Sequence, residues 1–168
     1  MRCFLAAWPD ETARQRCAQL TDAVRPHAVH GRVMRADNLH LTLAFIGDLP
    51  DTDAPGIATA CAALPPVQHD WHLDAIGFFA RPRVLWAGGP LTPELAGIAD
   101  RARALLDDLK VSYDRKPFVP HVTLLRDVRR FDGPNEIRPP IPWAIREVAL
   151  YRSGRDDRGA RYFRVEPA

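Results

Sequence analysis

The sequence predicts an α+β fold in a single domain of residues 1–168, with two similar lobes and antiparallel sheets. Helical and strand segments are mixed without the strict alternation that a doubly wound parallel sheet requires. The connections between the predicted strands are short, which favours antiparallel pairing. A hydrophobic content of 46% and a charged content of 26% are ordinary for a globular domain of this length.

The first half of the chain predicts three strands and two helices. Asp10 is a suitable helix N-cap, because its carboxylate can accept hydrogen bonds from the free amide groups of a first turn. Cys17, Leu20 and Val24 then recur at helical spacing and predict an apolar helix face. The elements expected in this half are strands at 3–7, 31–35 and 39–46 and helices at 11–25 and 53–63.

The second half predicts one long helix among several strands. Pro93 suits the first position of this helix, where an amide hydrogen is not needed. Leucine, isoleucine and alanine side chains at helical spacing form an apolar stripe that ends at Leu109. The elements expected in this half are a helix at 93–109 and strands at 68–76, 83–87, 111–114, 121–127, 143–151 and 160–166.

Cysteine usage and hydropathy exclude several classes of protein. Cys3, Cys17 and Cys61 are far apart and form no CxxC motif, which argues for a reducing compartment and against a thiolate metal site. The apolar stretch after Met1 is too short for a signal peptide, and no window is long enough to span a membrane. We therefore expect a cytoplasmic protein, monomeric by default, with no membrane partner.

The stretch DNLHLTLAFIGD, residues 37–48, combines a buried strand with two polar side chains. Residues i and i+2 of a strand project from the same face, so His40 and Thr42 share one face. Leu39, Leu41 and Leu43 occupy the other. A core strand therefore presents an imidazole and a hydroxyl side by side.

The sequence HVTL at residues 121–124 has the same form as HLTL at 40–43, and each half of the chain carries one copy. His121 and Thr123 again share a strand face. With six histidines and seven threonines in 168 residues, two such matches on predicted strands are not a chance result. A single copy would indicate a core histidine bonded to a neighbouring hydroxyl, whereas the pair indicates a duplicated functional motif.

Two paired histidines suit phosphoryl transfer without a metal ion. An unperturbed imidazole pKa of about 6.5 allows one ring to be a neutral base and the other a protonated acid. In-line displacement at phosphorus needs these two groups on opposite sides, which a pseudo-two-fold pair of strands supplies. The threonine hydroxyls can donate to the non-bridging oxygens, where charge accumulates.

With these motifs the sequence resembles the 2H phosphoesterases, and among them the bacterial and archaeal RNA 2′,3′-cyclic phosphodiesterases, formerly called 2′-5′ RNA ligases. The resemblance covers nearly the whole chain. Trp8 stands where the family usually has a smaller aliphatic residue. The segments that carry the resemblance are RCFLAAWPDE, DNLHLTLAFIGDLP, VLWAG, PFVPHVTLLR and LYRSGRDDRGARYFRVE.

The resemblance implies two lobes, each with an antiparallel sheet, and a central groove that holds both motifs. It implies that His40 protonates the leaving oxygen and that His121 activates water, while Thr42 and Thr123 hold the phosphate. The reaction would open a 2′,3′-cyclic phosphate to a 2′-phosphate, on an RNA end or a small cyclic nucleotide. No cofactor and no metal ion would take part.

Two further residues are candidate substrate contacts. Arg126 follows His121 by five positions, so strand alternation turns it away from the imidazole unless the strand bulges or ends. It is either a surface arginine paired with Asp127 or, as the resemblance suggests, a phosphate contact. Phe118 lies in a proline-flanked turn beside the second motif, where its ring could stack on a base.

Other charged patterns have simpler interpretations. His69 and His72 would lie on opposite faces of a strand, with no cluster of cysteines or acids beside them, so we predict no metal site there. Arginine recurs at every third position from 152 to 164, where it could follow an RNA backbone. The intervening Asp156 and Asp157 favour instead a solvated hairpin tip.

A non-catalytic alternative uses the same residues. A binding module for RNA ends could employ the histidines and threonines as hydrogen-bond donors only. Because both motifs are intact, the enzyme is the preferred interpretation, and turnover of a cyclic nucleotide in the presence of a chelator would discriminate between the two.

Overall fold

Nine strands and three helices build the structure, a computed structural model that describes residues 1–168. Every strand pair is antiparallel, so the predicted α+β class is confirmed. The helices are α1 (Glu11–Val24), α2 (Ala54–Ala62) and α3 (Pro93–Asp108). The strands are β1 (Arg2–Ala7), β2 (Ala28–Val33), β3 (Leu41–Asp48), β4 (His69–Phe79), β5 (Val84–Gly88), β6 (His121–Phe131), β7 (Glu136–Ile145), β8 (Ala149–Asp156) and β9 (Gly159–Arg164).

The nine strands form one continuous sheet, and β3 and β6, which carry the two His-x-Thr motifs, are neighbours in it. The order is β7-β4-β5-β6-β3-β1-β8-β9, with β2 paired to β6. We call the part formed by β1, β3, β8 and β9 the first lobe, and the part formed by β2, β4, β5, β6 and β7 the second lobe. The two lobes meet where β3 lies beside β6, and Leu41 and Val122 are the single pair of residues aligned between these strands. A cleft at this junction is therefore flanked by one motif from each lobe.

The two lobes are interleaved along the chain. Strands β8 and β9 come from the C-terminal part of the sequence yet complete the first lobe beside β1. Helix α1 packs on β6 and β7 of the second lobe, whereas α2 and α3 pack on β8 and β3 of the first. One core cluster of 38 buried residues extends through both lobes. None of the helices combines the length and apolar character needed to cross a membrane.

Two of the helices begin at the predicted residues. Asp10 accepts a hydrogen bond from the amide of Ala13 (2.7 Å), and Thr92 accepts one from the amide of Leu95 (3.1 Å), so both caps satisfy a free first-turn donor. Pro93 occupies the first turn of α3, as expected. Both helices end within one residue of the predicted position.

Three strand predictions are wrong. Residues 111–114 form no strand, because the segment meets β3 through only one backbone hydrogen bond, from Asp114 to Phe45. Strand β2 begins three residues before the predicted 31–35. The predicted strand at 143–151 joins the end of β7 to the start of β8, which residues 146–148 separate. The rest of β7 is absent from the prediction because Pro139, Pro140 and Pro142 interrupt its pattern. Since β7 is an edge strand that pairs only with β4, missing amide donors are tolerated there.

Candidate active site

The two motifs lie side by side where β3 meets β6. Because Leu41 pairs with Val122 in antiparallel register, His40 is aligned with Thr123 and Thr42 with His121. This alignment has the pseudo-two-fold relation expected from the duplicated sequence. The four side chains open into one cavity of ≈ 260 Å³, which is also lined by Phe79, Pro82, Val84 and Arg126.

Both imidazoles are held by the same backbone contact. Nδ1 of His40 lies 2.7 Å from the carbonyl oxygen of Asn38, and Nδ1 of His121 lies 2.7 Å from that of Val119. A carbonyl oxygen only accepts, so Nδ1 carries a hydrogen in both rings and donates it. Nε2 is therefore the nitrogen that exchanges a proton in each ring. In His40 this atom lies 2.9 Å from Oγ1 of Thr42.

A bulge directly after the threonine of each motif sets the direction of the side chains beyond it. The register of β3 on β1 shifts by one residue at Leu43, and that of β6 on β5 shifts at Leu124. A single extra residue reverses the alternation, so Phe45 and Arg126 point to the same face as the histidines. Arg126 therefore lines the cavity. Strand alternation turns it away from the imidazole unless the strand bulges or ends, and the bulge at Leu124 meets that condition. At this equivalent position the two lobes differ, with a phenyl ring in one and a guanidinium in the other.

His40 is enclosed by aromatic side chains. The rings of Phe4 and Trp8 stack on its imidazole at centroid distances of 4.8 and 5.0 Å, and Tyr162 lies edge-on at 5.1 Å. This burial lowers the pKa of His40 to about 4. The interplanar angle of 8° shows that the indole of Trp8 stacks nearly parallel on the imidazole.

His121 has a different aromatic wall. Phe79 lies edge-on at 5.2 Å and Trp86 is tilted at 6.2 Å from its ring. The indole lies across Gly77 and Gly88, where an added Cβ would come within 2.0 and 2.7 Å of the Trp86 ring. These two glycines therefore permit the indole to lie beside the imidazole. Burial lowers the pKa of His121 as well.

Arg126 forms no salt bridge inside the protein. Its predicted alternative partner, Asp127, instead pairs with Arg32 at 3.4 Å, so the surface interpretation of Arg126 is wrong. The positive charge of Arg126 contributes to the lowered pKa of both His40 and His121, after the larger effect of burial. A guanidinium without a carboxylate, in a cavity with two imidazoles, is suited to an anion.

Phe118 lies outside the central cavity but next to it. It lines an adjoining cavity of ≈ 250 Å³ together with Phe45, Thr42 and His121. Among the charged residues there, Lys116 and Asp114 pair with each other at 3.3 Å. The groove thus runs from an aromatic end, through the two motifs, to an end that holds Arg126.

The sequence did not show which residues surround His40. Tyr162 is one of several aromatic residues that could stack on a base, but no local pattern places it, Phe4 or Trp8 beside the imidazole. Asn38, which is 4% exposed, lies between the predicted strands 31–35 and 39–46 and carries no further signal. Its side chain donates to the carbonyl of Ala160 (3.0 Å) and accepts from the amide of Tyr162 (3.1 Å), so it fastens β9 to the first motif.

The remaining histidines on β4 have structural contacts. His69 lies 3.1 Å from the N-cap hydroxyl of Thr92, and His72 pairs with Asp74 at 3.3 Å. The structure contains no group of three or more histidine, cysteine or acidic side chains placed to hold a metal ion.

Comparisons with known proteins agree with this geometry. The family model described as LigT like Phosphoesterase matches residues 8–86. The RNA 2′,3′-cyclic phosphodiesterase of Escherichia coli (strain K12) is 34% identical over 127 residues, which cover 73% of this chain and 70% of the relative. The protein of the same name from Thermotoga maritima is 26% identical over 163 residues, covering 91% and 87%. The crystal structure of E. coli LigT complexed with 3′-AMP superimposes with a TM-score of 0.83 at 28% identity, covering 98% of this chain and 95% of that one.

Proposed function

Since this chain belongs to the LigT-like phosphoesterases, a family of the 2H type, we propose that it is an RNA 2′,3′-cyclic phosphodiesterase that uses His40 and His121 as acid and base. The observation that carries the proposal is the shared cavity, in which both reactive Nε2 atoms belong to rings oriented by identical backbone contacts. An RNA end or a small nucleotide with a 2′,3′-cyclic phosphate is the substrate, as the names of the relatives indicate.

The reaction proceeds by one in-line displacement. Nε2 of neutral His121 takes a proton from water as the water oxygen bonds to phosphorus. The bond from phosphorus to the 3′-oxygen breaks, and Nε2 of protonated His40 gives its proton to that oxygen. The product is a 2′-phosphate, and proton exchange with solvent restores both rings. This division of roles follows the family resemblance, because the pseudo-symmetric geometry alone permits either assignment.

The phosphate supplies the charge that His40 needs. Burial holds the pKa of His40 at about 4, so its ring is neutral near pH 7 in the free protein. A negative phosphate beside the ring favours the imidazolium and raises this pKa on binding. Thr42 and Thr123 donate hydroxyl hydrogens to the non-bridging oxygens, and Arg126 contributes a full positive charge. The acid therefore forms in the presence of the substrate.

Phosphorus NMR of the reaction with adenosine 2′,3′-cyclic phosphate in EDTA tests the proposal directly. We expect conversion to the 2′-phosphate at a rate that the chelator does not change, because His and Thr perform every step. Activity that is lost in EDTA and restored by a divalent cation would refute the metal-independent mechanism. A 3′-phosphate product would exchange the roles of the two histidines, and no turnover at all would leave only the binding module.

Removing one threonine hydroxyl should cost less than removing an imidazole. We expect Thr42→Ala or Thr123→Ala to lower kcat about tenfold to a hundredfold, because each hydroxyl is one of several donors to the phosphate. Serine at either position should restore most of the rate. The matched control is Thr52→Ala, at an exposed position that lines neither cavity of the groove. Full activity in both alanine variants would remove the hydroxyls from the mechanism.

The same site can use a nucleophile other than water. When the 5′-hydroxyl of a second RNA takes the place of water, attack on the cyclic phosphate forms a 2′-5′ linkage. We therefore expect slow ligation at high RNA concentration, with the same dependence on His40 and His121.

A further inference from the structure

The hairpin of β8 and β9 is fastened next to His40. Arg35 donates two hydrogen bonds to the carboxylate of Asp156 near the hairpin tip, at 2.8 and 3.1 Å. Asn38 binds the backbone of β9 on both sides of Arg161, while its own carbonyl accepts from His40. The position of the hairpin is therefore tied to that of the catalytic imidazole.

The two faces of this hairpin carry different groups. Cross-strand partners share a face, so Ser153 and Tyr162 lie together, with Arg155 two residues further along the same face. This is the groove face, because Tyr162 contacts the His40 ring edge-on at 5.1 Å. On the opposite face, Arg152 and Arg161 lie over the ring of Phe163 at 4.9 and 5.5 Å.

Arg155 is the unpaired cation of the groove face. It is exposed and forms no salt bridge, whereas Arg35 and Arg161 share the carboxylate of Asp156 and Arg158 approaches Asp37 at 3.9 Å. The regularly spaced arginines therefore differ in their surroundings, because most of them contact other protein groups and Arg155 does not. Arg155 is a diagonal neighbour of Tyr162, at about 7–8 Å between Cα atoms.

The cations at the aromatic end of the groove each contact a protein group, including Arg2, which lies over the ring of Phe45 at 5.0 Å. Lys116 pairs with Asp114, and Arg103 donates to the carbonyl of Leu43 at 3.4 Å and lies over the ring of Tyr113. Arg126 and Arg155, by contrast, form no salt bridge and lie over no aromatic ring. A polyanion that enters the groove is drawn toward the side of His40.

We propose that the groove face of the β8–β9 hairpin binds the nucleotide that precedes the cyclic end of an RNA, with Arg155 contacting the phosphate that joins the two. The inference rests on the proposed function and extends the site by one nucleotide. The planar ring of Tyr162 separates the two phosphates and offers a surface to the sugar or base between them. The preferred substrate is accordingly an RNA chain rather than a free cyclic mononucleotide.

The test compares three substrates. These are adenosine 2′,3′-cyclic phosphate, the dinucleotide ApA with the same cyclic end, and that dinucleotide with an uncharged methylphosphonate linkage. Arg155→Gln should reduce the ratio of kcat/KM for the dinucleotide over the mononucleotide about tenfold to a hundredfold, the usual effect of losing one charged hydrogen bond. The methylphosphonate should lower the ratio similarly in the wild type and add little in Arg155→Gln.

Arg152→Gln is the matched control, because it removes the same charge from the other face of the same hairpin, and its substrate ratio should equal that of the wild type. Equal losses on all substrates, or a wild type that does not prefer the dinucleotide, would overturn the inference. Failure of the wild type to hydrolyse the mononucleotide and the dinucleotide would refute the proposed function. The hairpin contact would then be tested by binding of a dinucleotide 2′-phosphate, which Arg155→Gln should weaken and Arg152→Gln should not.

Discussion

Alanine in place of His40 or His121 is expected to lower kcat on a 2′,3′-cyclic nucleotide by about 10²–10⁴-fold, the usual effect of losing a general acid or base. In the proposed mechanism, each ring performs one of two proton transfers in a single displacement. Neither transfer has a substitute, because no other imidazole or carboxylate lines the central cavity. The double variant should be little slower than the slower single variant, since residues that act as a unit are not additive.

The histidine variants need one control for correct folding and a second for the loss of a histidine outside the cavity. His40 fills the space between three aromatic rings, so His40→Gln should be measured beside His40→Ala, with circular dichroism on each. His72→Ala is the matched histidine control, because its ring is half exposed on β4 and pairs only with Asp74. Turnover close to the wild-type rate in His121→Ala would rule out the two-histidine mechanism.

Replacing Arg126 by glutamine should lower kcat/KM by about 10²–10³-fold, through the loss of one fixed charge beside the phosphate.

The same change should also move the pH profile. Because the two histidines titrate as a coupled pair, the plot of kcat/KM against pH is bell-shaped, and its two limbs belong to the pair rather than to one residue each. The pKa values that this plot reports are those of the free protein. Because burial and the charge of Arg126 lower both histidine pKa values, the wild-type bell lies on the acid side of pH 6.5.

The direction of that movement follows from the sign of the charge. A nearby positive charge disfavours the imidazolium, so its removal raises both histidine pKa values and shifts both limbs to higher pH. Arg129→Gln removes an exposed charge three residues further along β6 and should leave both the height and the position of the profile unchanged. A profile that falls in height without moving would show that Arg126 does not act on the imidazoles.

The pseudo-two-fold relation is broken most clearly at Phe45 and Arg126. Both side chains reach the groove through equivalent bulges, three residues after the threonine of each motif. An aromatic ring at one end and a cation at the other give the groove a direction that the paired histidines lack. This asymmetry supplies a physical reason to expect that the ribose binds in one orientation, and hence that one phosphomonoester is formed.

The pairing of each histidine with its threonine and the start of the first helix could be predicted from the sequence because their signals are local. Strand alternation places each histidine and threonine on one face, and the N-cap at Asp10 depends only on neighbours within one turn. The second His-x-Thr copy turned a common core pattern into a specific hypothesis. The resemblance then supplied the family and the expected direction of the reaction.

The tertiary structure alone decided which other residues join the site. A bulge depends on the register of the partner strand, so alternation along β6 could not show that Arg126 turns inward. Strand β7 is stable despite three prolines because it lies at a sheet edge, a position that no local pattern reveals. Tyr162 reaches His40, which is distant in sequence, because a C-terminal hairpin completes the first lobe. Pairing between distant strands sets these contacts, and with them the pKa of His40 and the charge of the groove.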